Sequence, residues 1–157
     1  MAIPPSSFSI SMLTGALSLS DLRDKSRHFK KEDFLTLQRF SFDCTRALTP
    51  SGEAYSASGG VISATVRMIN PDSYKEFYER LGSTEQKPMS FIFDASFSAG
   101  ELSSCEGGIV VEGYVVDIEE SYHADTDKQM LLTFRFRFTS LTFLGENNNG
   151  NVTFSIY

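Results

Sequence analysis

The sequence predicts a mainly β fold: an antiparallel β-barrel or two-sheet sandwich carrying one short packed α-helix. Three observations point there. Apolar residues alternate with polar ones through most of the chain, the spacing of strands with one buried face. One stretch, at about residues 71–81, repeats at helical spacing instead. The resulting order is strands, a single helix, then strands, which suits an antiparallel sheet closed on itself or packed against another.

A length of 157 residues suits one domain spanning 1–157. Hydrophobic residues make up 41% and charged residues 22%, a globular composition rather than a disordered one. The net charge of -6 argues against a nucleic-acid partner, because phosphate binding needs a basic footprint. No apolar run approaches the ~18 residues of a membrane span, so no membrane insertion is expected. Residues 1–20 lack the basic start of a secretory signal, and the expectation is synthesis and folding in the cytosol.

In chain order, Phe8, Ile10 and Met12 alternate with Ser7, Ser9 and Ser11, predicting a first strand. Residues 20–33, SDLRDKSRHFKKED, are densely charged and read as a solvated loop insertion. Alternation returns from Phe34 to Thr45 with a change of phase: Leu35 and Leu37 first, then Phe40, Phe42 and Cys44. One face cannot hold both sets, so the pattern predicts a bulge near Gln38-Arg39 or burial on both sides. Residues 46–60, rich in Pro, Ser and Gly, read as an extended loop. Val61 to Ile69 is a strand whose inward set is Ile62, Ala64, Val66 and Met68.

The helix follows. Asn70 is placed to cap it, Pro71 suits its first position, and Asp72 favours its positive end. Tyr74, Phe77, Tyr78 and Leu81 fall on one predicted core-facing stripe, with Glu76 and Arg80 paired on the other side. Gly82 suits the stop. Strands are then predicted over Met89–Phe97, Ile109–Tyr122, Lys128–Phe143 and Val152–Tyr157, with a turn at 145–151. The core of the third of these, Phe134-Arg135-Phe136-Arg137-Phe138, places phenylalanines inward and arginines outward, and its phase breaks near Thr139-Ser140. The centre of Ile109–Tyr122 is apolar on both faces, as expected of a strand that covers a core and meets a second surface.

Catalytic chemistry finds no motif. His28 lies among charges and His123 at a strand edge, with no nucleophile motif beside either. His123, Asp125 and Asp127 offer metal ligands at alternate positions, but the glycine turn and distal glutamate of a calcium loop are missing; the expectation is a hairpin tip and no metal. Glu119 and Glu120 are consecutive on a strand and face opposite ways, which argues against an acid/base dyad. Cys44 and Cys105 read as two free, partly buried thiols. The Asn151-Val152-Thr153 sequon reads as incidental. No cofactor is expected.

Three stretches together resemble a known family: TRALTPSGEAYSASGGVISATVRM, the helix DSYKEFYERL, and EGGIVVEGYVVDIEESYHADTDKQMLLTFRFRFTSLTF. They resemble the Hcp tube proteins of type VI secretion systems, in a divergent branch, over about Phe40 to Phe143. The resemblance implies a small β-barrel similar to phage tail-tube subunits, forming hexameric rings that stack into a hollow tube. The implied partners are copies of the chain itself, a contractile sheath, a spike and effector proteins. No enzyme activity and no cofactor are implied. Assembly in the cytoplasm and export through the apparatus without a signal peptide follow from the same likeness.

By the resemblance, residues of the 46–60 loop would meet the next ring: Arg46, Ser51, Gly52, Glu53 and Tyr55. The family usually has Gly-Arg-Pro where this chain has Gly52-Glu53-Ala54, which implies different or weaker stacking. Arg135 and Arg137, with Glu112 or Asp117 on another strand, are candidates for a subunit boundary or a lumen wall. The alternative is a secreted or cell-surface β-sandwich binding module, for example for carbohydrate. The absence of tryptophan and of a signal sequence counts against it. A hydrolase on the same barrel has no supporting constellation.

Overall fold

The computed structural model describes residues 15–48, 50–52, 54–67, 71–93, 95, 97–123, 129–146 and 149–155. Its strands are β1 (Ala16–Ser18), β2 (Leu35–Leu48), β3 (Ala54–Arg67), β4 (Lys87–Ile92), β5 (Phe97–Ser98), β6 (Glu101–Leu102), β7 (Ile109–His123), β8 (Gln129–Phe143) and β9 (Val152–Ser155). The helix α1 spans Pro71–Leu81, as its spacing predicts. The main sheet runs β3-β2-β1-β4-β7-β8-β9, and β3 also pairs with β8, so six strands close into an antiparallel barrel. β5 and β6 form a separate small hairpin.

The core is the product of period-two alternation in strands that close on one another. Phe134, Phe136 and Phe138 of β8 are buried while Arg135 and Arg137 are exposed. Ile62, Ala64 and Val66 of β3 join them, with Met89 and Phe91 of β4 and Val111 and Val115 of β7. Each large side chain of this kind stabilises the fold by about 1.5–3 kcal/mol. The phase changes are bulges. One lies between Leu37 and Arg39 of β2, where the sequence predicts it. Another lets Glu112-Gly113 face Ser140 and Phe138, leaving Thr139 as the extra residue of β8. Gly113 is needed there, because a β-carbon would stand 1.9 Å from the Arg137 carbonyl oxygen.

Four expectations are corrected. Residues 46–60 are not a long loop: the strands continue, pairing Cys44 with Gly60, Arg46 with Ala57 and Leu48 with Ala54. They form a two-stranded arm beyond the Val61–Arg137 pair, the last one that β3 makes with β8. Ser and Gly dipeptides hide this continuation, since small residues carry little strand signal.

The charged segment 20–33 is not merely solvated. Leu22 and Phe29 are buried with Ile92, Val110 and Leu144 in a second core. Backbone bonds anchor the segment to the β5–β6 hairpin: the Leu102 amide donates to the Phe29 carbonyl and the Lys31 amide to the Gly100 carbonyl, both at 2.8 Å. The outward face of early β7 is therefore covered by its own chain rather than by a second subunit. The predicted strand 89–97 also divides, with β4 ending at Ile92 and β5 starting at Phe97.

The helix is rotated from its predicted stripe. Phe77 is fully buried against Phe134, with ring centroids 5.0 Å apart, but Tyr78 and Leu81 are 44% and 40% exposed. Arg80, expected on the outer side, is 5% exposed. Its guanidinium donates to the carbonyls of Pro88 and Leu19, each at 2.6 Å, and pairs with Glu76. Two carbonyls at the barrel rim need donors, and Arg80 supplies them only if its side of α1 turns inward. Phe8, Ile10, Met12, Met68 and the Asn70 cap lie outside the described residues.

Candidate assembly interface

Strands β2, β3, β8 and β7 form one continuous wall, each antiparallel to the next. Directly paired residues point to the same side, so the register defines rows on its outward face. One row is Asp43, Val61, Arg137 and Tyr114; the next is Ser41, Ser63, Arg135 and Asp117; the third is Arg39, Thr65, Thr133 and Glu119. Small hydroxyl side chains occupy the middle, and Thr65 and Thr133 bond through their Oγ1 atoms at 2.8 Å. They floor a shallow groove of about 500 Å³ bounded by Arg39 and Glu119.

The wall has an open edge at each end. β1 pairs only with Leu35 and Thr36 of β2, so from residue 38 onward no described strand pairs on that side. β4 pairs with β7 only through Ile109–Gly113, which leaves 114–123 open likewise among the described residues. Apolar side chains remain uncovered at both edges: Phe42 of β2 is 43% exposed, and Val116, the bulged residue of β7, is 45% exposed. Open strand edges with apolar neighbours are a liability for a lone particle and a resource for an assembling one.

The predicted site residues fall into three groups. Arg135 and Asp117 are brought together on the wall, with Arg135 Nε donating to Asp117 Oδ2 at 2.7 Å. That bond raises the basicity of Arg135. Arg137 stands exposed in the neighbouring row. Glu112 belongs elsewhere: it pairs with Arg23, which also holds Asp21 at 2.8 Å, tying the charged segment to the start of β7. Of the arm residues, Ser51 and Gly52 are exposed at its tip, and Gly52 has a φ of 91°. Arg46 and Tyr55 stand in paired strands rather than in a loop, and Glu53 lies outside the described residues.

By sequence, Glu119 enters only as half of an acid/base dyad and Arg39 only as a bulge position, unrelated to each other. Nothing local marks them, since their relation depends on the pairing of four strands. On the opposite side of β7, the Tyr74 hydroxyl bonds to Glu120, which with partial burial pushes its pKa up to about 12. Glu119 and Glu120 thus serve different faces, as expected of consecutive strand residues. Neither cysteine forms a disulfide; Cys105 is partly buried, as expected, but Cys44 is exposed. Among the described residues no group of three His, Cys, Asp or Glu side chains is placed to hold a metal, and no helix is long and apolar enough to cross a membrane. Asp125 and Asp127 lie outside those residues.

Comparison with solved structures identifies this barrel. Hcp1 from the E. coli EAEC 042 pathovar superposes with a TM-score of 0.60 over 92% of this chain and 99% of that one, at 13% identity. The chain has the Hcp fold. Secreted protein Hcp3 from Pseudomonas aeruginosa matches with a TM-score of 0.53 over 91% of this chain and 99% of that one, at 14% identity. A type six secretion system protein matches at 0.54 over 90% of this chain and 94% of that one, at 11% identity. The last two carry names of a secreted protein and of a secretion-system protein. No family model and no curated protein matches the chain by sequence. The Hcp fold here is therefore carried by barrel closure and one capping helix rather than by shared residues.

Proposed function

We propose that the chain is the subunit of a secretion tube, a structural protein rather than a catalyst. The observation that carries the proposal is the wall whose two edges are open among the described residues, on an Hcp-fold barrel. β2 and β7 run in opposite directions, so rotation about an axis along the strands sets β7 of one copy antiparallel to β2 of the next. Head-to-tail repetition closes a ring, six copies in this proposal, and buries Phe42 and Val116 at each joint. The outward face of the wall then lines the lumen with Ser, Thr and paired charges, a wetted surface suited to passing folded effector proteins.

The β2–β3 arm projects past the barrel and reaches the neighbouring ring, with Ser51 and Gly52 at its tip. A contractile sheath and a spike complete the machine. Rings form in the cytoplasm and leave through the apparatus without a signal peptide.

Light scattering with negative-stain microscopy of the purified chain tests this. Closed rings that stack at high concentration are expected. A particle that stays monomeric at every concentration would favour a binding module instead. Tyr55→Asp is expected to leave rings intact and impair stacking.

A further inference from the structure

We infer that the joint between copies is locked by an ion pair between Arg39 of one copy and Glu119 of the next. The inference rests on the tube reading above and names the residues that make its lateral contact. Arg39 and Glu119 end the same row of the wall, one at each open edge, and both are exposed. The ion pairs among the described residues include neither of them. The row between them, Thr65 and Thr133, is neutral and satisfied by its own hydroxyl bond.

A second copy is the occupant that fits these edges. Among the described residues each edge offers unpaired backbone groups, and the row that ends in Arg39 on β2 ends in Glu119 on β7. On this face β2 carries Arg39, Ser41 and Asp43, and Arg39 is the one cation among them. β7 carries Asp117 and Glu119 there, and Asp117 is already neutralised by Arg135. Glu119 is thus the acid left to meet an incoming cation. An arginine side chain spans a stagger of a residue or two, so the pairing survives the slant that a closed ring of strands imposes. Two β7 edges, by contrast, would set acid against acid. The pair therefore favours head-to-tail joining over dimers joined through β7.

The test uses two charge reversals and their mixture, read by native mass spectrometry and negative-stain microscopy, with thermal melting as the folding control. Arg39→Glu alone gives a copy acidic at both edges, and Glu119→Arg alone a copy basic at both. Each is expected to fold and to need about tenfold more protein, or higher still, to assemble. Mixed in equal amounts, the two are expected to form even-numbered rings in which the variants alternate. Single variants that assemble as readily as the parent chain overturn the pair and leave the tube reading standing. So does assembly rescued in the double variant of one chain but not in the mixture, because the pair would then lie within a copy. A parent chain that never forms rings overturns the tube reading and the pair with it.

Discussion

Gly60 lies beneath the ring of Phe138, where a β-carbon would stand 2.4 Å from Phe138 Cζ. This contact marks the place where β3 parts from β8. Up to Val61 and Arg137 the two strands are paired; beyond, β8 takes β9 as its neighbour from Ser140 to Phe143. The ring of Phe138 fills the fork, and only a residue without a side chain lets β3 pass over it into the arm. Gly60 is thus a packing requirement rather than a loop signal.

Gly60→Ala is expected to destabilise the fold by about 1–3 kcal/mol, the usual cost of overpacking a filled site. Adding Phe138→Leu should recover part of that loss, since the smaller side chain makes room. Urea denaturation of the two single variants and the double gives the coupling. Simple additivity would mean that the ring moves aside freely and does not hold the fork.

Arg80 ties α1 to the barrel through two main-chain carbonyls. Arg80→Met keeps much of the apolar stem and removes the donors, leaving the Leu19 and Pro88 carbonyls without them. A loss of about 2–4 kcal/mol is expected. Glu76→Gln should cost less, about 1 kcal/mol or below, because Glu76 is partly exposed to water. Equal losses in chemical denaturation would show that the ion pair, not the carbonyl bonds, anchors the helix.

Acid should loosen the charged segment first. Burial pushes the Asp21 carboxyl up, but the side-chain and backbone hydrogen bonds from Arg23, with its charge, outweigh burial and hold it below its usual value. A depressed carboxyl stabilises the fold above its unfolded pKa, about 3.9, and that contribution is lost as pH falls through the lower folded value. Melting temperature should therefore drop more steeply below about pH 4 in the parent chain than in Arg23→Met, which lacks the pair. Parallel curves for the two proteins would remove Asp21 from the account.

Much of the fold is legible residue by residue. Strand phases, the bulge beside Gln38, the inward phenylalanines of β8 and the existence of α1 all follow from periodicity, because each depends on neighbours a few positions apart. The misread parts depend on partners far along the chain. Leu22 and Phe29 look solvated among charges until Val110 and Ile92 present a face for them to cover. Arg80 belongs outside by its spacing and turns inward because two rim carbonyls lie in reach.

The sequence by itself determined a β-rich chain with one helix, and which face of each strand is apolar, since alternation is written locally. Only the tertiary structure decided which residues stand side by side: Thr65 and Thr133 are 68 positions apart, and Arg39 and Glu119 share a row through them. Barrel closure and bulges set that register by summing many small pairings, and no short stretch of residues encodes the sum.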